Sequence, residues 1–184
     1  MKKMKLVQFI SIGGLLTSLA VLFQSAPVFL PALGLALSPL STLPIAIAAI
    51  FNVLLGMIAF FSSALILILI SPQEAMIFLF STGLIGIVLG AFLYRKGRLF
   101  SILASAMALT IGMLVLTYIA VIPAFVEFTE SISLLLTMII YIIFSIVYMS
   151  ILTILLGKFA YHLIKIKLIE KPEHYGMKYK DNRK

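Results

Sequence analysis

Glu130, Ser133, Thr137, Tyr141, Ser145 and Tyr148 follow one another at steps of three or four through a stretch that is otherwise mostly apolar. Such steps place side chains on one face of a helix. A row of hydroxyls with a carboxylate at its head can donate and accept hydrogen bonds along a track. That chemistry holds a ligand or a neighbouring helix. In a lipid-spanning helix such a row turns away from lipid, so it either hydrogen-bonds across to other helices or lines a polar cavity. Tyr141 lies deep in the stretch, away from the interface where tyrosine is common, whereas Tyr94 and Tyr161 fit interfacial anchors. Tyr118, near the end of the preceding apolar stretch, and Gln24, near the end of the first, can face the same cavity. Glu127 and Glu130 just precede the last long stretch. They either oppose the positive end of its helix dipole or recognise a cationic group at its outer mouth. The substrate-binding candidates are therefore Gln24, Tyr118, Glu127, Glu130, Thr137, Tyr141, Ser145 and Tyr148.

Catalytic chemistry finds no such pattern, and an enzyme is not expected. No histidine or acid pair lies within one apolar stretch to act as general acid and base. No serine has a neighbouring base to activate it, and no glycine-rich phosphate loop follows a strand. Cysteine is absent, which excludes disulfides, thiolate metal sites and a cysteine nucleophile. The two histidines, His162 and His174, both fall in the basic C-terminal part. No metal site or cofactor is expected.

Other residues read first as structural, with ligand contact by Glu74 as the lesser alternative. Ser71-Pro72-Gln73-Glu74 is a capping box with proline at the first helical position, in which Ser71 accepts from the Glu74 amide and Glu74 reaches back to Ser71. Small residues recur at spacings of four: Thr82, Gly86 and Gly90; Ala104, Ala108 and Gly112; Gly13 with Thr17; Gly14 with Ser18. Such stripes let helix backbones approach closely. The later two fit packing within the chain. The first-helix pairs Gly13/Thr17 and Gly14/Ser18 are candidates for docking a partner subunit.

The elements that carry these residues follow from composition. Of the 184 residues, 63% are hydrophobic and 11% charged, with a mean hydropathy of +1.24. A water-soluble domain has about 25% charged residues, so the chain reads as an integral membrane protein. Charges punctuate it: Lys2, Lys3 and Lys5; Glu74; Arg95, Lys96 and Arg98; Glu127 and Glu130; then Lys158 and a basic tail. Apolar runs of about 20 residues span a bilayer. They predict an all-α bundle with spans at 6–26, about 40–54, about 56–71, 75–94, 99–122 and 131–157. The first is expected to be an uncleaved helix, because Gln24 and Pro27 flank Ala26 unsuitably for signal cleavage. Pro27, Pro31, Pro39 and Pro44 predict an irregular, proline-rich outer cap over 27–44. The sixth helix is expected to run on to about Glu170, stopped by Pro172.

Residues 1–160 then form one six-helix membrane domain, and 161–184 a basic cytoplasmic tail. With both termini inside, all 14 lysines and arginines are cytoplasmic, as the positive-inside rule requires. The formal charge of +8 reports that bias and not nucleic-acid binding. The tail reads first as a solvated, orientation-setting segment, with anionic lipid headgroups as the partners it could hold.

This organisation resembles the substrate-binding S components of energy-coupling factor transporters and their uncharacterised membrane relatives. The resemblance rests on three features and covers roughly residues 6–160. The first is the small-residue pairing of Gly13, Gly14, Thr17 and Ser18. The second is the proline-rich connection leading to 40–50 and the Leu55-Gly56 turn. The third is the run from Phe80 to Gly90 followed by Tyr94-Arg95-Lys96-Gly97-Arg98. The resemblance implies a multi-pass protein of a bacterial plasma membrane that binds a vitamin-like micronutrient near the outer face. It would dock through its first helices onto a transmembrane T subunit driven by two ATPases. The competing expectation is a non-transporting membrane scaffold or assembly protein, for which the sixth-helix row needs only to lock the bundle.

Overall fold

The computed structural model describes residues 6–93, 95–122, 126, 129 and 133–165, with side chains through 158. Six helical segments are long and apolar enough to cross a membrane: Leu6–Phe29, Pro31–Phe51, Val53–Ile70, Pro72–Leu93, Arg98–Tyr118 and Leu134–Lys158. The described residues contain no strand. Large apolar side chains lie open on the outside, among them Leu69, Leu99 and Ile119, at 86%, 79% and 77% exposure. An apolar surface of this kind needs lipid around it.

The first span is the single helix α1 (Leu6–Phe29). The second departs from expectation. Residues 27–44 do not form an irregular cap. Pro27 lies inside the last turn of α1, Leu30 alone is a bend, and helix α2 (Pro31–Leu37), a 3₁₀ turn (Ser38–Ser41) and helix α3 (Thr42–Phe51) follow without a break. The prolines segment this span without unwinding it. Pro31 opens α2, Pro39 lies in the first turn of the 3₁₀ segment and Pro44 in the first turn of α3. At those positions a missing N–H costs no helical hydrogen bond. Gly34 closes the hairpin: a Cβ there would meet the backbone of Ala26 and Pro27.

The third span is α4 (Val53–Ile70), joined to α3 through Asn52 alone. Asn52 caps α4 by accepting from the Leu54 amide at 2.9 Å. The fourth comprises α5 (Pro72–Ile77), a π-helical turn (Phe78–Thr82) and α6 (Gly83–Leu93). The fifth is α7 (Arg98–Tyr118), entered through Gly97 at φ +90°, a conformation that favours glycine. The last is α8 (Leu134–Lys165); the expected continuation to Glu170 lies outside the described residues.

Two apolar clusters hold the bundle. One joins α1, α3, α4 and the start of the fourth span through Leu16, Ala20, Ile45, Leu55, Leu67 and Phe78. Phe60 stacks on Phe78 at 5.5 Å between ring centroids. The other joins α3, α6, α7 and α8 through Ala46, Leu89, Leu109, Met149 and Leu156. The Thr82/Gly86/Gly90 stripe is internal packing, as its spacing suggests. Gly86 faces Ile45 and the Thr42 carbonyl, and Gly90 faces the Ala46 carbonyl.

Candidate functional site

Only a few acidic residues interrupt the apolar sequence, and among the described residues Glu74 is enclosed by the fold. It lies in the first turn of the fourth span and is 9% exposed. Half of its expected capping box forms: Ser71 Oγ accepts from the Glu74 amide at 3.4 Å. The reciprocal bond does not form, because the Ser71 amide donates to the Leu67 carbonyl at 2.8 Å. The Glu74 carboxylate is thereby left for tertiary use.

Gln24 takes it up. Its Nε2 donates to Glu74 Oε2 at 2.8 Å. Its Oε1 accepts from Ser41 Oγ at 2.8 Å and from Thr82 Oγ1 at 2.7 Å. An ionised carboxylate only accepts, so it turns the amide nitrogen toward itself and leaves the amide oxygen for the two hydroxyls. One fully buried glutamine thus ties α1 to the 3₁₀ turn of the second span and to two turns of the fourth. Buried polar groups are costly unless satisfied, and this hub satisfies four side chains at once.

The π turn makes this geometry possible. Eight residues of unbroken α-helix would leave Thr82 about 80° around the axis from Glu74. In the π turn the Gly83 amide bonds to Phe78 O, five residues back. The extra residue removes most of that offset and brings Thr82 onto the face of Glu74. The bulge is braced from the fifth span, where a Cβ on Gly112 would strike the Phe80 carbonyl oxygen. Only a glycine lets α7 come so near.

The sixth-helix row is a separate arrangement. Tyr141, 2% exposed, shares a hydrogen bond with Thr117 of α7 at 2.9 Å. Ser145, fully buried, accepts from Thr110 Oγ1 of α7 at 3.1 Å. Thr137 is buried and donates within its own helix to the Ser133 carbonyl at 3.2 Å. Tyr148 reaches furthest: its hydroxyl donates to the Pro39 carbonyl at 3.5 Å and faces the Thr42 side chain. Thr42 Oγ1 itself makes no hydrogen bond of good geometry.

The eight candidate binding residues therefore divide. Gln24 belongs to the Glu74 hub, with spans two and four. Thr137, Tyr141, Ser145 and Tyr148 face α7, their own helix or the 3₁₀ turn. Tyr118 is 47% exposed at the end of α7. Glu127 and Glu130 lie outside the described residues, as does the interfacial candidate Tyr94. Among the docking candidates, Gly13 and Thr17 are buried. Gly13 abuts Leu55, and the Thr17 carbonyl accepts from Ser63 Oγ at 3.4 Å. Gly14 and Ser18 face outward, with open space beyond Gly14.

Sequence reading does not single out Ser41 or Thr82 as members of the site, since Thr82 reads as part of a packing stripe. Glu74 reads first as a cap, with ligand contact as the lesser alternative. The available signal was a single acid next to a span, matched by a single buried-type amide, Gln24, at the same end of the bundle.

Comparison of the chain with protein-family models, with curated proteins and with solved structures finds no match in any of the three.

Proposed function

We propose that the protein is a small-solute-binding membrane component of a transporter, resembling an energy-coupling factor S component, with Gln24 and Glu74 at the heart of its recognition site. The observation that carries this reading is the Glu74 hub. An ionisable side chain enclosed among membrane-spanning helices is costly, and such residues mark substrate or ion pathways by default. Here it accepts from the neutral Gln24 amide, whose oxygen in turn accepts from the Ser41 and Thr82 hydroxyls, so that three spans meet, next to a π turn, a feature frequent at functional sites. Both termini would be cytoplasmic, with the Glu74 end facing out of a bacterial plasma membrane. A vitamin-like micronutrient would enter there. ATP would be hydrolysed by partner subunits, to which the outward-facing Gly14/Ser18 pair offers a close-approach face. The basic tail would meet anionic headgroups.

The test is a gentle detergent pull-down of the tagged protein from its native membrane, with co-purifying proteins identified by mass spectrometry. Recovery of a T subunit with two ATPases is the expected result. Recovery of none, from a preparation that keeps other membrane complexes intact, contradicts the transporter reading. A second reading, a membrane scaffold or assembly protein, is favoured by one observation: the Tyr141 and Ser145 hydroxyls are consumed by α7. A different stable partner in the same pull-down would support it.

A further inference from the structure

The Glu74 hub has a chemical bias. Its carboxylate is enclosed, and among the described residues its side-chain partner is the neutral Gln24 amide, bonded at Oε2. Ser41 and Thr82 each direct their one hydroxyl hydrogen at Gln24 Oε1. A hydroxyl that has used its hydrogen keeps acceptor lone pairs. What the hub offers a further group is therefore oxygen acceptors and a negative charge. The described basic side chains, Arg95, Lys96, Arg98 and Lys158, belong to the opposite end of the bundle. Lys96 lies over the Phe100 ring and Arg98 beside Gly157.

We infer that the cluster of Glu74, Gln24, Ser41 and Thr82 binds a monovalent cation, either an alkali-metal ion or the primary ammonium group of a solute. The inference rests on reading this cluster as the solute site and names the chemistry it selects. A single carboxylate with two hydroxyl oxygens suits one positive charge, the Gln24 oxygen being already engaged by both hydroxyls. Calcium sites draw on several carboxylates, and no group of three acids or histidines occurs among the described residues. The π turn sets the site's geometry, since it holds Thr82 on the same face as Glu74.

Two measurements test this, both on the full-length protein in detergent at constant ionic strength, with sodium, methylammonium or choline as the added cation. The first is thermal unfolding followed by circular dichroism at 222 nm, suited to a chain without tryptophan. Sodium, methylammonium or both should raise the midpoint with the logarithm of concentration, as linkage requires, while choline, bulky and without N–H donors, should not. Glu74→Gln should abolish the shift. The second needs no variant: labelling of Glu74 by a hydrophobic carbodiimide, located by peptide mass spectrometry, should slow when the binding cation is present. Protection by sodium alone assigns an inorganic ion; by methylammonium alone, an amine-bearing solute; by both, the shared chemistry.

Equal labelling in all three salts overturns the inference, as does a shift that persists in Glu74→Gln. If Glu74→Gln fails to fold, the labelling decides. Cation protection without co-purifying transport subunits would retire the transporter reading and leave this site standing. Co-purifying subunits without protection would do the reverse.

Discussion

Two buried polar regions in one bundle differ in how they are built. The Glu74 hub draws on three spans, contains an ionisable group, and converges on a single glutamine. The sixth-helix row is a ladder of neutral hydroxyls that meet α7 in pairs, Thr110 with Ser145 and Thr117 with Tyr141. In lipid, interhelical hydrogen bonds average only about 0.6 kcal/mol each, so a ladder is a modest clasp whose rungs act almost independently. A hub is different: removing its centre strands every partner together, one of them a carboxylate. Polarity inside a membrane bundle therefore has two meanings, and connectivity separates them.

The difference can be broken at its centre first. Gln24→Leu should cost about 3 kcal/mol, because an enclosed carboxylate loses its donor and two hydroxyls lose their acceptor. Thermal unfolding in detergent, followed by circular dichroism, reads this directly. Gly112→Ala comes next, at about 2 kcal/mol, the cost of overpacking a fitted core. The added methyl must push α7 away from the Phe80 carbonyl and disturb the π turn. Its effect should be non-additive with Thr82→Val, which a double-mutant cycle measures.

The ladder should yield much less. Tyr141→Phe is expected to cost about 0.6 kcal/mol, with a coupling to Thr117→Val of similar size. A coupling several times larger would make the row a hub as well. At the bottom of the scale, Gly14→Ala meets open space and should stay within about 0.5 kcal/mol. Lost co-purification of a partner in a variant that stable would make Gly14 a docking residue.

The span count was legible because charge and length act locally. Lysine and arginine clusters fix where the chain can leave the bilayer, and an even count before Arg95 follows. The second span was misplaced because a proline's effect depends on its position within a helix. Pro31, Pro39 and Pro44 each fall where no helical N–H is needed, which only the folded segment reveals. The shared face of Thr137, Tyr141, Ser145 and Tyr148 was legible from spacing, but its partners on α7 were not, since tertiary pairing leaves no local pattern.

Gln24 was legible as a polar residue near a span's end. Its companions were not, for a physical reason. The relation between Glu74 and Thr82 depends on one extra residue in a helical turn, and a continuous apolar run does not disclose a π bulge. Glu74 had a sufficient local explanation in its cap, and half of that explanation holds.

The central claim is that the hub, and not the ladder, recognises a solute. Native mass spectrometry of the protein, gently extracted from its own membrane, tests it most directly. The account predicts a small-molecule or ion adduct that survives in the wild type and in Tyr141→Phe and disappears in Glu74→Gln. An adduct kept by Glu74→Gln and lost in Tyr141→Phe would contradict it, and so would the absence of any adduct from all three.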